Sequence, residues 1–185
     1  MKFFIGIVPT GEFKLKLIDF QHKWKNNRMI DVVEPHITLK AQGGLTSDEK
    51  WLSKVTVVCH NFQSFKISLD KPMFFGEDIL YLSAQSSELF NLHKSIVGEI
   101  SPSNELIKRD FELDDFVPHM TLGKTHYGLS KKELIDMGNL AEKELSPFPT
   151  FEVRFVRVYQ EIEPNKYIKY VDIPLKNIIS TSTKE

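Results

Sequence analysis

Cysteine is nearly absent from this chain. Cys59 stands alone, so no intramolecular disulfide and no multi-cysteine zinc motif is available, and a reduced, cytoplasmic setting is expected. An excess of one charge sign is missing too. With 24 Lys+Arg against 25 Asp+Glu and a formal net charge of -1, the chain has no general attraction for polyanions, so binding to long duplex nucleic acid is not expected. No apolar run reaches membrane-spanning length. Met1-Lys2-Phe3-Phe4-Ile5-Gly6-Ile7-Val8 has the charge and short apolar stretch of a signal peptide, but Pro9 ends it early, and it reads as a first strand buried on both faces. An adaptor role has little to rest on beyond the short polar end Ser180-Thr181-Ser182-Thr183-Lys184-Glu185. What remains is ordinary: 185 residues, 41% hydrophobic and 11% aromatic, read as one monomeric domain over 1–185 made of two lobes, 1–75 and 76–185.

Against that background one pattern occurs twice, as Pro35-His36-Ile37-Thr38-Leu39 and as Pro118-His119-Met120-Thr121-Leu122. In a strand successive side chains alternate between faces, so His36 and Thr38 share one face while Ile37 and Leu39 enter a core on the other. His119 and Thr121 stand in the same relation to Met120 and Leu122. Neighbouring strands of this kind would turn two imidazoles and two hydroxyls into one cleft.

The flanks repeat as well. After the first strand, Phe13, Leu17, Phe20 and Trp24 recur at helical spacing. The first His-Thr strand covers about 33–40, and Gly44-Leu45-Thr46 with Glu49 reads as a capping box opening a helix that carries Trp51, Leu52, Val55 and Val58. A strand over 65–70 ends at Lys71-Pro72. The order then restarts: a strand at 79–82, a helix capped by Ser86-Ser87 and ended by Ser101-Pro102, and an acidic connector with Asp110, Glu112, Asp114 and Asp115. The second His-Thr strand follows, then Gly128-Leu129-Ser130 with Glu133 as a second capping box, a strand over 151–158 and a final strand from Tyr167 to Ile173. The two copies keep nearly the same offset (36 to 119, 44 to 128). The chain thus reads as an α+β fold of two pseudo-symmetric β-α-β-α-β halves, mainly antiparallel, around a central cleft.

Two histidines can supply both a base and an acid near neutral pH, which suits attack of water at a phosphodiester. Thr38 and Thr121 hydroxyls can bond the non-bridging oxygens, and a lysine can offset the added negative charge. Lys40 follows Thr38 by two positions, on the His36 face. Lys124 is one residue out of the alternation and reaches the cleft only if the strand ends or bulges around Gly123.

These residues resemble the two-histidine (2H) phosphoesterases, which include the 2′-5′ RNA ligase-like cyclic phosphodiesterases. The likeness rests on His36-Ile37-Thr38-Leu39 and His119-Met120-Thr121-Leu122-Gly123-Lys124, with Leu80-Tyr81-Leu82 followed by Leu89 and Leu92-His93 as the opening of the second half. It implies a bilobed α+β fold and hydrolysis of 2′,3′-cyclic, 2′-5′-linked or cyclic nucleotide phosphodiesters without metal or cofactor, including reversible 2′-5′ RNA ligation. It also implies His36 and His119 as catalytic residues and Thr38, Thr121, Lys40 and Lys124 as phosphate contacts. Lys124 stands where the family often has arginine, which keeps the charge and loses bidentate geometry.

Competing readings are weaker. Zinc needs three or four ligands, and the motifs offer two histidines. A nucleotide- or RNA-end-binding module without catalysis would not require a matched acid and base. His22, His60, His93 and His126 lack a matching partner and read as surface or packing residues. Tyr81, Phe111 and Tyr127 offer rings for base stacking but share the composition of an ordinary core.

Overall fold

A computed structural model describes residues 2–177; Met1 and the polar Ser180–Glu185 end lie outside the described residues. The chain runs β1 (Phe3–Ile7), α1 (Gly11–Gln21), β2 (Ile37–Lys40), α2 (Lys50–Asn61), β3 (Phe65–Phe75), β4 (Ile79–Gln85), α3 (Ser87–Ile100), α4 (Asn104–Arg109), β5 (His119–Lys124), α5 (Lys131–Glu144), β6 (Thr150–Val153), β7 (Phe155–Glu163) and β8 (Lys166–Pro174). This is the α+β architecture expected. Among the described residues no helix is long and apolar enough to cross a membrane.

All eight strands join one antiparallel sheet in the order β6-β3-β4-β5-β2-β1-β7-β8. The two His-Thr strands are its central pair, with Ile37 opposite Met120. Outward from that pair, β4 on one side answers β1 on the other. The sequence halves interleave: β3 of the first half lies between β4 and β6, while β7 of the second half pairs with β1.

The core lies between the sheet and its helices. Ile37, Leu39, Met120 and Leu122 are fully buried, and their alternation leaves His36, Thr38, His119 and Thr121 half-buried on the opposite face. The helices bury stripes at the expected spacing: Phe13, Leu17 and Phe20 on α1, Trp51, Val55 and Cys59 on α2, Leu89, Leu92 and Ile96 on α3, Leu134, Met137 and Ala141 on α5.

Several local expectations need correction. The capping box at Thr46 and Glu49 does not form. The Thr46 hydroxyl turns to Asp48, Glu49 takes a left-handed φ of 57° and its carboxylate accepts the Tyr170 hydroxyl at 2.8 Å, so the helix starts at Lys50. The second box, at Ser130 and Glu133, forms fully. The strand through Phe65 continues past Lys71-Pro72 to Phe75, with a register shift between Leu69 and Pro72. Proline is tolerated there because β6 pairs only as far as Ser68, leaving that side without a ladder partner. The expected strand over 151–158 breaks at Arg154: Phe151 and Val153 pair with β3 at one end of the sheet, whereas Phe155 begins β7 at the other. The sheet must curl for one residue to connect those ends, and Leu175 N–H donates to the Arg154 carbonyl at 2.8 Å across the join. The acidic connector also contains a helix, α4, capped by Ser103.

Candidate active site

His36 and His119 are held by the same device. Each Nδ1 lies against the backbone carbonyl two residues upstream, His36 on Glu34 at 2.8 Å and His119 on Val117 at 2.7 Å. A carbonyl only accepts, so Nδ1 carries the proton in both rings and each Nε2 is left as the unprotonated ring nitrogen. The rings are then braced by matched aromatic pairs. Phe4 and Tyr159 stack at 4.5 Å and 13°, with His36 at 4.9 and 5.5 Å from them. Phe75 and Tyr81 stack at 4.1 Å and 22°, with His119 at 5.0 and 5.3 Å.

The strand order explains the match, since β1 and then β7 lie outward of β2 as β4 and then β3 lie outward of β5. Gly6 makes the first packing possible. A Cβ there would lie 3.1 Å from Tyr159 Cε2 and from the Ile37 carbonyl, and 3.4 Å from His36 Cδ2.

The two sides differ in their outer support. The Glu34 carboxylate accepts from Lys14 at 2.8 Å, Arg157 at 2.6 Å and the Tyr159 hydroxyl at 2.9 Å. Burial opposes its charge, yet these three donors hold the carboxyl below the usual carboxylate range. Val117, its counterpart, has no such side chain and is exposed. Burial also depresses both imidazoles. His36 falls to about 4, with repulsion from His119 and Lys124 adding to burial; His119 is lowered by burial and by Lys124.

Both histidines and both threonines line one cleft of about 300 Å³, together with Lys124 and Tyr127. Lys124 arrives by a bulge. Tyr81 pairs with Thr121 and Leu80 with Gly123, so Leu122 is the extra residue that restores Lys124 to the Thr121 face. The buried Gln21 amide donates to the Leu122 carbonyl at 3.0 Å, supporting the bulge from α1. Gly123 allows α5 to close over it, since a Cβ would meet Met137 Sδ at 2.9 Å and Leu134 Cδ2 at 3.1 Å. Among the described residues lining the cleft, Lys124 is the one lysine or arginine, and no ion pair or hydrogen bond engages it; burial lowers its pKa.

Lys40 does not reach this cleft, contrary to the expectation from alternation. The chain turns after β2, and Nζ is fully buried, donating to the carbonyls of Ala41 at 2.9 Å and Gly43 at 2.5 Å and pairing with Glu112 Oε1 at 2.7 Å. All three donors are used, so none is left for a phosphate.

His93, expected as a surface or packing residue, has a structural task. It is buried, its Nδ1 bonds the Leu39 carbonyl at 2.7 Å and its Nε2 accepts the Leu113 N–H at 2.9 Å, which ties β2 to the segment before β5. His126 is exposed and lies outside the cleft lining. Of the aromatic candidates, Tyr81 braces His119, Tyr127 lines the cleft and Phe111 lines a neighbouring cavity. Among the described residues no three of His, Cys, Asp and Glu gather as a metal-binding group.

Comparison with known proteins bears on the family and the fold. An RNA 2′,3′-cyclic phosphodiesterase of Methanocaldococcus jannaschii is 26% identical over 172 residues, covering 89% of this chain and 94% of that protein. The crystal structure of TT0787 of Thermus thermophilus has the same fold, with a TM-score of 0.67 at 16% identity over 96% of this chain and 99% of that one. The E. coli LigT structure complexed with 3′-AMP follows at a TM-score of 0.60 and 14% identity, over 95% and 98%. The family model described as the 2′-5′ RNA ligase superfamily matches residues 19–160, and with both His-Thr strands inside that span the chain belongs to this superfamily.

Proposed function

We propose that the protein is a phosphodiesterase that hydrolyses 2′,3′-cyclic phosphate ends of nucleotides or RNA by His/His acid–base catalysis. The observation that carries this reading is the matched pair of Nδ1–carbonyl bonds, which present two Nε2 atoms to one cleft beside two threonine hydroxyls and an unengaged lysine. The activity named for the M. jannaschii relative supports it.

In this scheme one Nε2 takes a proton from water as the water oxygen bonds to phosphorus. The bond from phosphorus to the leaving ribose oxygen breaks, and the other ring's N–H gives that oxygen its proton. A charge on His119 disfavours one on His36, so one ring serves as the acid while the other stays neutral as the base. Thr38, Thr121 and Lys124 hold the phosphoryl oxygens as charge builds on them. A 2′-5′ linkage presents the same reacting centre with a longer leaving group. Phosphomonoesters carry more negative charge than one neutral imidazole, one imidazolium and one lysine are equipped to balance.

The reading is tested by product analysis on a panel of nucleoside 2′,3′-cyclic phosphates, 2′-5′ and 3′-5′ dinucleotides and a phosphomonoester, with and without EDTA. Hydrolysis of the cyclic phosphates that survives chelation is expected. Turnover of the monoester alone, or activity abolished by EDTA and restored by a divalent ion, would overturn the scheme. Tight nucleotide binding without turnover would establish a binding module instead.

A further inference from the structure

A second cavity, of about 460 Å³, opens beside the cleft and shares Thr38, His119 and Lys124 with it. Its other walls are different in kind. Phe75, Ile79, Phe116 and Val117 make them apolar, and Phe111 lines the cavity while remaining 70% exposed. The segment from Asp110 to Val117 that supplies most of these walls is pinned to the end of β2, to the turn after it and to α3. Asp110 accepts the Gly43 N–H at 2.8 Å, Glu112 accepts the Ala41 N–H at 3.1 Å and pairs with Lys40, and Phe116 stacks on His93 at 3.8 Å and 6°. The cavity is therefore preformed, as small-molecule sites usually are.

Two features of this segment are unexplained by packing. Phe111 and Leu113 have φ of 53° and 58°, a left-handed conformation that side chains with a Cβ rarely adopt, and the Phe111 ring gains little burial in return. Acceptors are also left over. Glu112 Oε2 is buried without a partner, and among the described residues no hydrogen bond or ion pair reaches the Asp115 carboxylate. An apolar cavity with acidic groups at its edge repels a second phosphate and suits a flat, neutral ring that carries N–H donors on its rim.

We infer that this cavity is the nucleobase site, in which the base attached to the reacting ribose phosphate stacks on Phe111 and turns an N–H edge toward Asp115. The inference rests on the phosphodiesterase reading, and the sharing of His119 and Lys124 between the two cavities places the ring next to the reacting phosphate.

The test compares kcat/KM for guanosine 2′,3′-cyclic phosphate with that for ribose 2′,3′-cyclic phosphate, which has no base. In the wild type the nucleotide is favoured. Phe111→Ala should reduce that preference by about 5- to 150-fold, the range for losing one base–aromatic stack, while Phe111→Tyr keeps it. Asp115→Ala should reduce it as well. A preference unchanged in both Phe111→Ala and Asp115→Ala overturns the inference and leaves the phosphodiesterase reading standing. A wild type that hydrolyses neither compound overturns both.

Discussion

Ile37 stands opposite Met120 at the centre of the sheet, and continuing that antiparallel register places His36 beside Thr121 and Thr38 beside His119. Each histidine is thus neighboured by the other motif's hydroxyl, and the two imidazoles occupy diagonal positions across one strand pair. The site depends on this pairing more than on any loop. A one-residue slip would turn every member of one motif into the core.

Replacing His36 or His119 with Ala should lower kcat by about 10²–10⁴-fold with the fold retained, as read by steady-state assay and circular dichroism. Thr38→Ala or Thr121→Ala should cost about 1–3 kcal/mol in kcat/KM, the value of a hydrogen bond to a charged oxygen. Normal rates in either histidine variant would remove that residue from the chemistry.

The two lysines should separate cleanly. Lys124→Ala is expected to lower kcat/KM with little change in the urea midpoint. Lys40→Ala is expected to cost about 3–5 kcal/mol of stability, because it strands a buried Glu112 carboxylate. Combining Lys40→Met with Glu112→Leu should recover most of that loss, since no buried charge is then left unpaired. Denaturant titration of the three variants decides the matter.

Acid should destabilise the fold through its depressed histidines. His36 is lowered to about 4, and His93 and His119 are lowered too, all chiefly by burial. Above about pH 6.5 these rings are neutral in both folded and unfolded chains and stability does not depend on them. As pH falls from there toward 4, the unfolded chain binds protons that the folded rings refuse, and stability drops, by roughly 3 kcal/mol for His36 alone. Thermal melts between pH 7.5 and 4 should show this slope, and His36→Asn should flatten it.

Gly6→Ala should disturb the site without touching a reacting group. The added methyl crowds Tyr159, the Ile37 carbonyl and the His36 ring, for which overpacking costs about 1–3 kcal/mol of stability. Turnover should fall further than the loss of folded protein accounts for, since the His36 ring is among the groups displaced. An activity loss that only tracks the folded fraction would count against this view.

How much of this was legible in the sequence depends on the range of the interaction. The alternation His36-Ile37-Thr38-Leu39 and its copy are local, so their two faces could be read directly, as could Ser130-x-x-Glu133. Lys40 misled because alternation describes a strand only while it lasts. The turn after β2 folds the side chain back to Glu112, whose position is set by a distant segment. The aromatic braces were invisible for a related reason: Phe4, Tyr159, Phe75 and Tyr81 come from four strands whose neighbours are fixed by sheet order. The break at Arg154 coincides with a change of phase in the alternation, at the adjacent apolar pair Phe155-Val156, but only the curl of the sheet turns that change into a break. His93 entered through the family likeness, but nothing marked its structural task, since it is one histidine on a helical stripe that happens to meet two backbone groups.

That join at Arg154 bears on how the protein meets substrates of different size. Val153 is fixed to Phe65 at one end of the sheet and Phe155 to Pro174 at the other, and a single residue between them reaches only about 3.3–3.6 Å per residue of chain. The sheet is in effect a hoop rather than a hinged pair of plates. It cannot gape by swinging its ends apart without breaking strand pairs, so the cleft offers one fixed width to whatever enters it.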